Sequence, residues 1–80
     1  MGGKLRVLSG KELVDFFASY GFTVHRQNAS HIKLRRMLNG IKEILIIPNH
    51  KPIAKGTLKA IFHQAARYIP ESELRKRFYR

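Results

Sequence analysis

The stretch Ile32-Lys33-Leu34-Arg35-Arg36-Met37-Leu38-Asn39-Gly40-Ile41-Lys42-Glu43-Ile44-Leu45-Ile46-Ile47 decides the fold. Asn39-Gly40 is the strongest local turn signal in the chain, because a two-residue type I′ hairpin needs positive φ at both central positions. A two-residue turn there pairs Leu38 with Ile41, Arg36 with Glu43, Leu34 with Leu45 and Ile32 with Ile47. Alternation at period two then gathers Ile32, Leu34, Leu45 and Ile47 on one face. Lys33 and Arg35 point the other way. So do Ile44 and Ile46, which a solvated sheet face has no use for and which hint at a partner surface.

Working back toward the N-terminus, the central strand is expected over residues 30–37, with His31 near its start on the face of Lys33 and Arg35. Phe22 to Gln27 alternates and forms the preceding strand. A three-residue loop, Gln27-Asn28-Ala29, keeps the apolar faces together by pairing Phe22 with Leu34 and Val24 with Ile32. That register sets His25 directly across from His31. Upstream, Ser9 and Glu12 have capping-box spacing, and Leu13, Phe16, Phe17 and Tyr20 form an i, i+3, i+4, i+7 stripe. The first helix is expected at about 10–20, with Gly21 as its left-handed terminator. Residues 4–8 are an extended lead-in.

Working forward, Pro48 ends the third strand, and Asn49-His50-Lys51-Pro52 is a loop. A second helix opens at Lys55-Gly56-Thr57, with Gly56 or Thr57 near its cap. Its core stripe is Leu58, Ile61, Phe62, Ala65 and Ile69, while Lys59, His63 and Arg67 form a solvated basic side. Pro70 breaks it. Glu71 and Glu73 at the start and Arg75, Lys76 and Arg77 at the end suit the dipole of a last short helix, which Leu74 and Phe78 can fold back onto the domain. The expected fold class is α+β, ordered α-β-β-β-α: a three-stranded antiparallel sheet with two helices on one face, plus a short C-terminal helix. Residues 1–80 read as a single domain with its core at about 9–69, a lead-in at 1–8 and an extension at 70–80.

Charge narrows the partners. Sixteen Lys and Arg stand against five Asp and Glu, a formal net charge of +11 in 80 residues. Such a field favours a polyanion, of which nucleic acid is the commonest. Cysteine is absent, which rules out disulfides and thiolate sites and suits a reducing cytoplasm. The N-terminus lacks the apolar run of a signal peptide, Arg6 breaks the myristoylation pattern, and no stretch suits a membrane. The four histidines and five acids show no ligand spacing, so neither a metal nor another cofactor is expected. An imidazole beside two cations does suit work on a phosphodiester, because imidazole moves protons near neutral pH while Lys and Arg hold phosphate oxygens.

Five pieces, in order, carry a family likeness: Ser9-Gly10-Lys11-Glu12-Leu13, Gly21-Phe22, Ser30-His31, Pro48 with His50, and Lys55-Gly56-Thr57-Leu58. Together they span about residues 9–69, and the chain resembles HicA-type (YcfA-like) mRNA interferase toxins of bacterial toxin–antitoxin modules. The resemblance implies a double-stranded-RNA-binding-domain-like fold, RNA cleavage, His31 as the catalytic histidine and a HicB-type antitoxin as partner. Ala29 stands where the family usually has glycine before Ser-His.

On this reading the chain is a cytoplasmic, metal-independent endoribonuclease, monomeric when free, that acts on mRNA. His31 is the base, kept neutral by Lys33 and Arg35 until phosphate binds. Ser30, Lys33 and Arg35 contact RNA, with His25 and His50 as possible accessory groups. The alternatives are an RNA-binding module of the same shape that does no chemistry, and an adaptor whose basic surface holds an acidic protein.

Overall fold

The computed structural model describes residues 3–80. Met1 and Gly2, which begin the lead-in and the failed myristoylation pattern, lie outside the described residues. The elements run α1 (Gly10–Ala18), β1 (Thr23–Gln27), β2 (His31–Leu38), β3 (Ile41–Pro48), α2 (Lys55–Ala65) and α3 (Glu71–Phe78). The sheet is antiparallel in the order β1-β2-β3. This is the expected α+β architecture, with α3 folded onto it. Among the described residues no helix is long and apolar enough to cross a membrane.

The β2–β3 hairpin follows its sequence pattern throughout. Asn39 and Gly40 both have positive φ, and the pairs Leu38 with Ile41, Arg36 with Glu43, Leu34 with Leu45 and Ile32 with Ile47 all form. Ile32, Leu34, Leu45 and Ile47 are buried beneath Leu13 and Phe17 of α1 and Leu58, Ile61, Phe62 and Ala65 of α2. Leu74 and Phe78 of α3 are fully buried in the same core. At the other end of the chain, Leu5 bridges to Tyr79, Lys4 and Arg80 exchange backbone hydrogen bonds, and Leu8 is buried. The lead-in and the C-terminal segment therefore brace one another.

Two expectations need correction. The β1–β2 turn is shorter than expected: the Asn28 N–H donates to the His31 carbonyl, leaving Ala29-Ser30 as the turn. An unbulged β1 in that register would set Val24 opposite Arg35. Instead His25 is inserted as an extra residue, so Val24 faces Leu34 while Arg26 faces Lys33. The bulge restores the apolar pairing, but Val24 lies on an edge strand and stays 48% exposed. His25 is thus not across from His31, whose β3 partner is Pro48. The second correction concerns α2. It begins at Lys55 with Ala54 as its N-cap and no side-chain cap, so Gly56 and Thr57 already lie within the first turn.

The α1 capping box forms in full, with Ser9 Oγ accepting from the Glu12 N–H and Glu12 Oε1 accepting from the Ser9 N–H. Gly21, at φ +93°, ends the helical segment and lets the Phe22 N–H return to the Phe17 carbonyl.

Arg36 binds these parts together. Its Nε donates to Glu43 Oε1 at 2.7 Å, with Nη2 2.6 Å from the same oxygen in the ion pair; Nη1 donates to the Tyr20 carbonyl and Nη2 to the Tyr68 carbonyl. The guanidinium also lies 4.7 Å from the centroid of the Phe22 ring. The side chains of the pair are only 13% and 11% exposed, so removing one partner strands a mostly desolvated charge. Glu43→Ala should cost about 3 kcal/mol, at the low end for a buried pair because some water contact remains. Urea unfolding checks this through a lower midpoint at unchanged slope.

Candidate active site

The open face of the sheet carries the charge. Asn28 builds its corner: Oδ1 accepts from the Ser30 N–H at 2.9 Å, the His31 N–H at 2.8 Å and the Ser30 hydroxyl at 3.2 Å. An Asn two residues before Ser reads as an Asx turn, and it holds the start of β2 in one geometry. Ser30 Oγ lies 3.1 Å from His31 Nδ1. A hydroxyl has one proton. That proton can go to Asn28 Oδ1 or to Nδ1; in the first arrangement Oγ accepts from an Nδ1–H tautomer whose Nε2 carries the basic lone pair.

The corner is braced from behind. Asn49, just past β3, donates its N–H to the Ser30 carbonyl and its side-chain amide to the Ala29 carbonyl. The next residue accepts from the other direction, since the Gly10 N–H donates to the His50 carbonyl. Any Cβ on Gly10 would run into the Pro48 carbonyl, which is why glycine follows the capping serine. Three motifs far apart in sequence, Ser9-Gly10, Ser30-His31 and Pro48 to His50, therefore meet in space. Ala29 fits without strain, since only Gly21, Asn39 and Gly40 among the described residues have positive φ.

Along β2 from His31, Lys33 and Arg35 are half-buried on the same face, next to Ile46 and Ile44 of β3. Ile46 is 41% exposed and Ile44 is half-buried. His25 joins these cations rather than His31. The Arg35 guanidinium foremost, then desolvation, then Lys33, hold its imidazole below the ordinary histidine range. His50 goes elsewhere, lining a concavity with Val7, Lys11 and Glu12 at the start of α1. Sequence reasoning placed His31, Lys33 and Arg35 on one face. It missed Asn28, whose spacing to Ser30 was the available signal, and Asn49, for which no local signal exists. Among the described residues no three metal-ligating side chains converge.

The fold and this face are those of a small basic α+β domain with one imidazole held at a strand corner. Over residues 10–66, well over half its length, the chain matches the family described as HicA toxin of bacterial toxin-antitoxin, and it belongs to that family. It is a toxin of a toxin–antitoxin system, a class that acts with an antitoxin partner. No curated protein and no solved structure matches it significantly.

The electrostatics of the face can be checked directly. In an NMR pH titration the His25 imidazole should titrate below the ordinary histidine midpoint, since nearby positive charge disfavours its protonated form. Arg35→Gln should move that midpoint up, and by more than Lys33→Gln does, following the order of the two influences.

Proposed function

We propose that this toxin is a metal-independent endoribonuclease that cleaves mRNA with His31 as its general base. The observation that carries the reading is the Asn28–Ser30–His31 network, which engages the ring through Nδ1 on a face that also holds Lys33 and Arg35. Nε2 takes the proton of a ribose 2′-OH, and the resulting oxygen attacks the adjacent phosphorus. The bond to the 5′ oxygen breaks, leaving a 2′,3′-cyclic phosphate. The departing 5′ oxygen takes a proton, which the now protonated His31 can return. Lys33 and Arg35 stabilise charge on the phosphate oxygens, with Ser30 contributing at the corner. His25 and His50 take no step in this scheme. The face suits a double-stranded-RNA-binding-domain-like module, and the cytoplasm is where its substrate lies.

The direct experiment incubates the pure chain with single- and double-stranded RNA in chelator, with His31→Ala alongside. The wild type should cleave to cyclic-phosphate ends, while His31→Ala should lose cleavage and growth arrest yet keep RNA affinity within a few-fold. A variant that cleaves at near wild-type rate refutes the assignment. Shifted mobility with no cleavage by either protein would indicate a binding module instead.

The same reading makes a HicB-type antitoxin the partner of this face. Acids on the partner pair with Lys33 or Arg35, its apolar groups cover Ile44 and Ile46, and His31 is blocked sterically. Burial of one isoleucine contributes up to about 1.5–3 kcal/mol, and Ile46 starts 41% exposed. Ile46→Glu should leave the thermal melt intact, because the core face is untouched. It should weaken antitoxin binding in calorimetry by about tenfold or more, some 1.4 kcal/mol per decade. An unaltered complex would put the antitoxin elsewhere.

A further inference from the structure

A second basic surface lies outside the sheet face. Two concavities, of about 700 and 260 Å³, share Val7, Leu8 and Glu12 in their walls and so adjoin, together making a groove-like surface across the start of α1. One end is walled by Asn49, His50 and Lys51, and Asn49 is hydrogen-bonded to the Ala29-Ser30 turn that leads into His31. The other end is walled by Arg6, Arg77 and Arg80. Among the described residues Glu12 supplies the only acidic side chain in either wall, and its Oε1 is taken by the Ser9 N–H. Its Oε2 lies 3.9 Å from Arg77, a loose and largely exposed contact.

We infer that this groove is a track for the RNA strand, running from the His31 corner over α1 to a phosphate-binding cluster at Arg6, Arg77 and Arg80. The inference rests on the proposed RNA cleavage and extends it to substrate length. Guanidinium groups are planar forks that match phosphate oxygens, and three of them around one concavity serve a backbone better than a single ion. The wall residue Asn49 is bonded to the turn that precedes His31, and this proximity favours a strand already engaged there over an acidic protein. Arg6, Arg77 and Arg80 all fall outside the family-matched residues 10–66. They are assembled by the lead-in and the C-terminal segment pairing with each other, so the arginine end of the track lies outside the matched core.

The test measures binding by fluorescence anisotropy on a His31→Ala background of the full chain, using RNAs of about 4 and about 16 nucleotides. Arg77→Gln with Arg80→Gln should reduce the affinity gained with length by about tenfold and lower the salt slope on the long RNA by about 1.4, or about 0.7 for each lost phosphate contact. Arg77→Lys should restore part of that gain. Lys59→Gln with Arg67→Gln, equal in charge but exposed on α2 and in the turn that follows it, should change long-RNA affinity less than twofold. Equal losses in both double variants, or none in the first, overturn the track while leaving the cleavage reading intact. Loss of binding to the antitoxin but not to RNA overturns it in favour of an acidic protein. A wild-type chain that neither binds nor cleaves RNA of any length removes the cleavage reading and the track with it.

Discussion

The fold hangs on one ion pair. Arg36 sits on the core side of β2, where an arginine is costly unless every donor has a use. Glu43 on β3 supplies the counter-charge, and the carbonyls of Tyr20 and Tyr68 supply the rest. Those carbonyls lie in the turns that directly follow α1 and α2. One side chain thus ties two strands to the ends of both main helices, and it does so where the apolar layer runs out. Beyond it Leu38 and Ile41 pair with each other but are exposed, 46% and 65%. The guanidinium closes the core at that end as Phe22 and its neighbours fill it.

The site uses the opposite end of the same hairpin. Ile32 buries on one side while His31 and Lys33 face the other, so the core that fixes β2 also fixes the imidazole. The backbone bonds from Asn49 to Ser30 and from Gly10 to His50 then connect that corner to α1. The candidate site is positioned by rigid elements, and the β1–β2 loop contributes only the Asn28 turn.

Legibility followed the range of the forces. The β2–β3 register was readable because Asn39-Gly40 admits one turn and the apolar residues admit one face. The stripes of α1 and α2 were readable from spacing alone, as were the two isoleucines on the open face. The β1 register was not, because a bulge lets turn geometry and face pairing be satisfied separately, and spacing cannot say where the extra residue goes. The bare Ala54 cap was equally invisible, since tertiary packing of Leu58 and Ile61 starts that helix without help from a side chain. The brace between residues 4–6 and 78–80 is long-range pairing with no local signature. In the site, His31 and its cations followed from alternation, whereas the contact of Ser30 Oγ with His31 Nδ1 depends on a turn geometry that spacing alone does not give.

Gln64 has a consequence of a different kind. Its Oε1 accepts the Ile46 N–H on the outer edge of β3, filling a position where another strand could dock. At the other edge the His25 bulge twists β1, and Arg26 brings charge. Three-stranded sheets left open at both sides are prone to grow by adding strands from their neighbours. Here one side is stoppered by a side chain and the other bent and charged, so the sheet stays three strands wide.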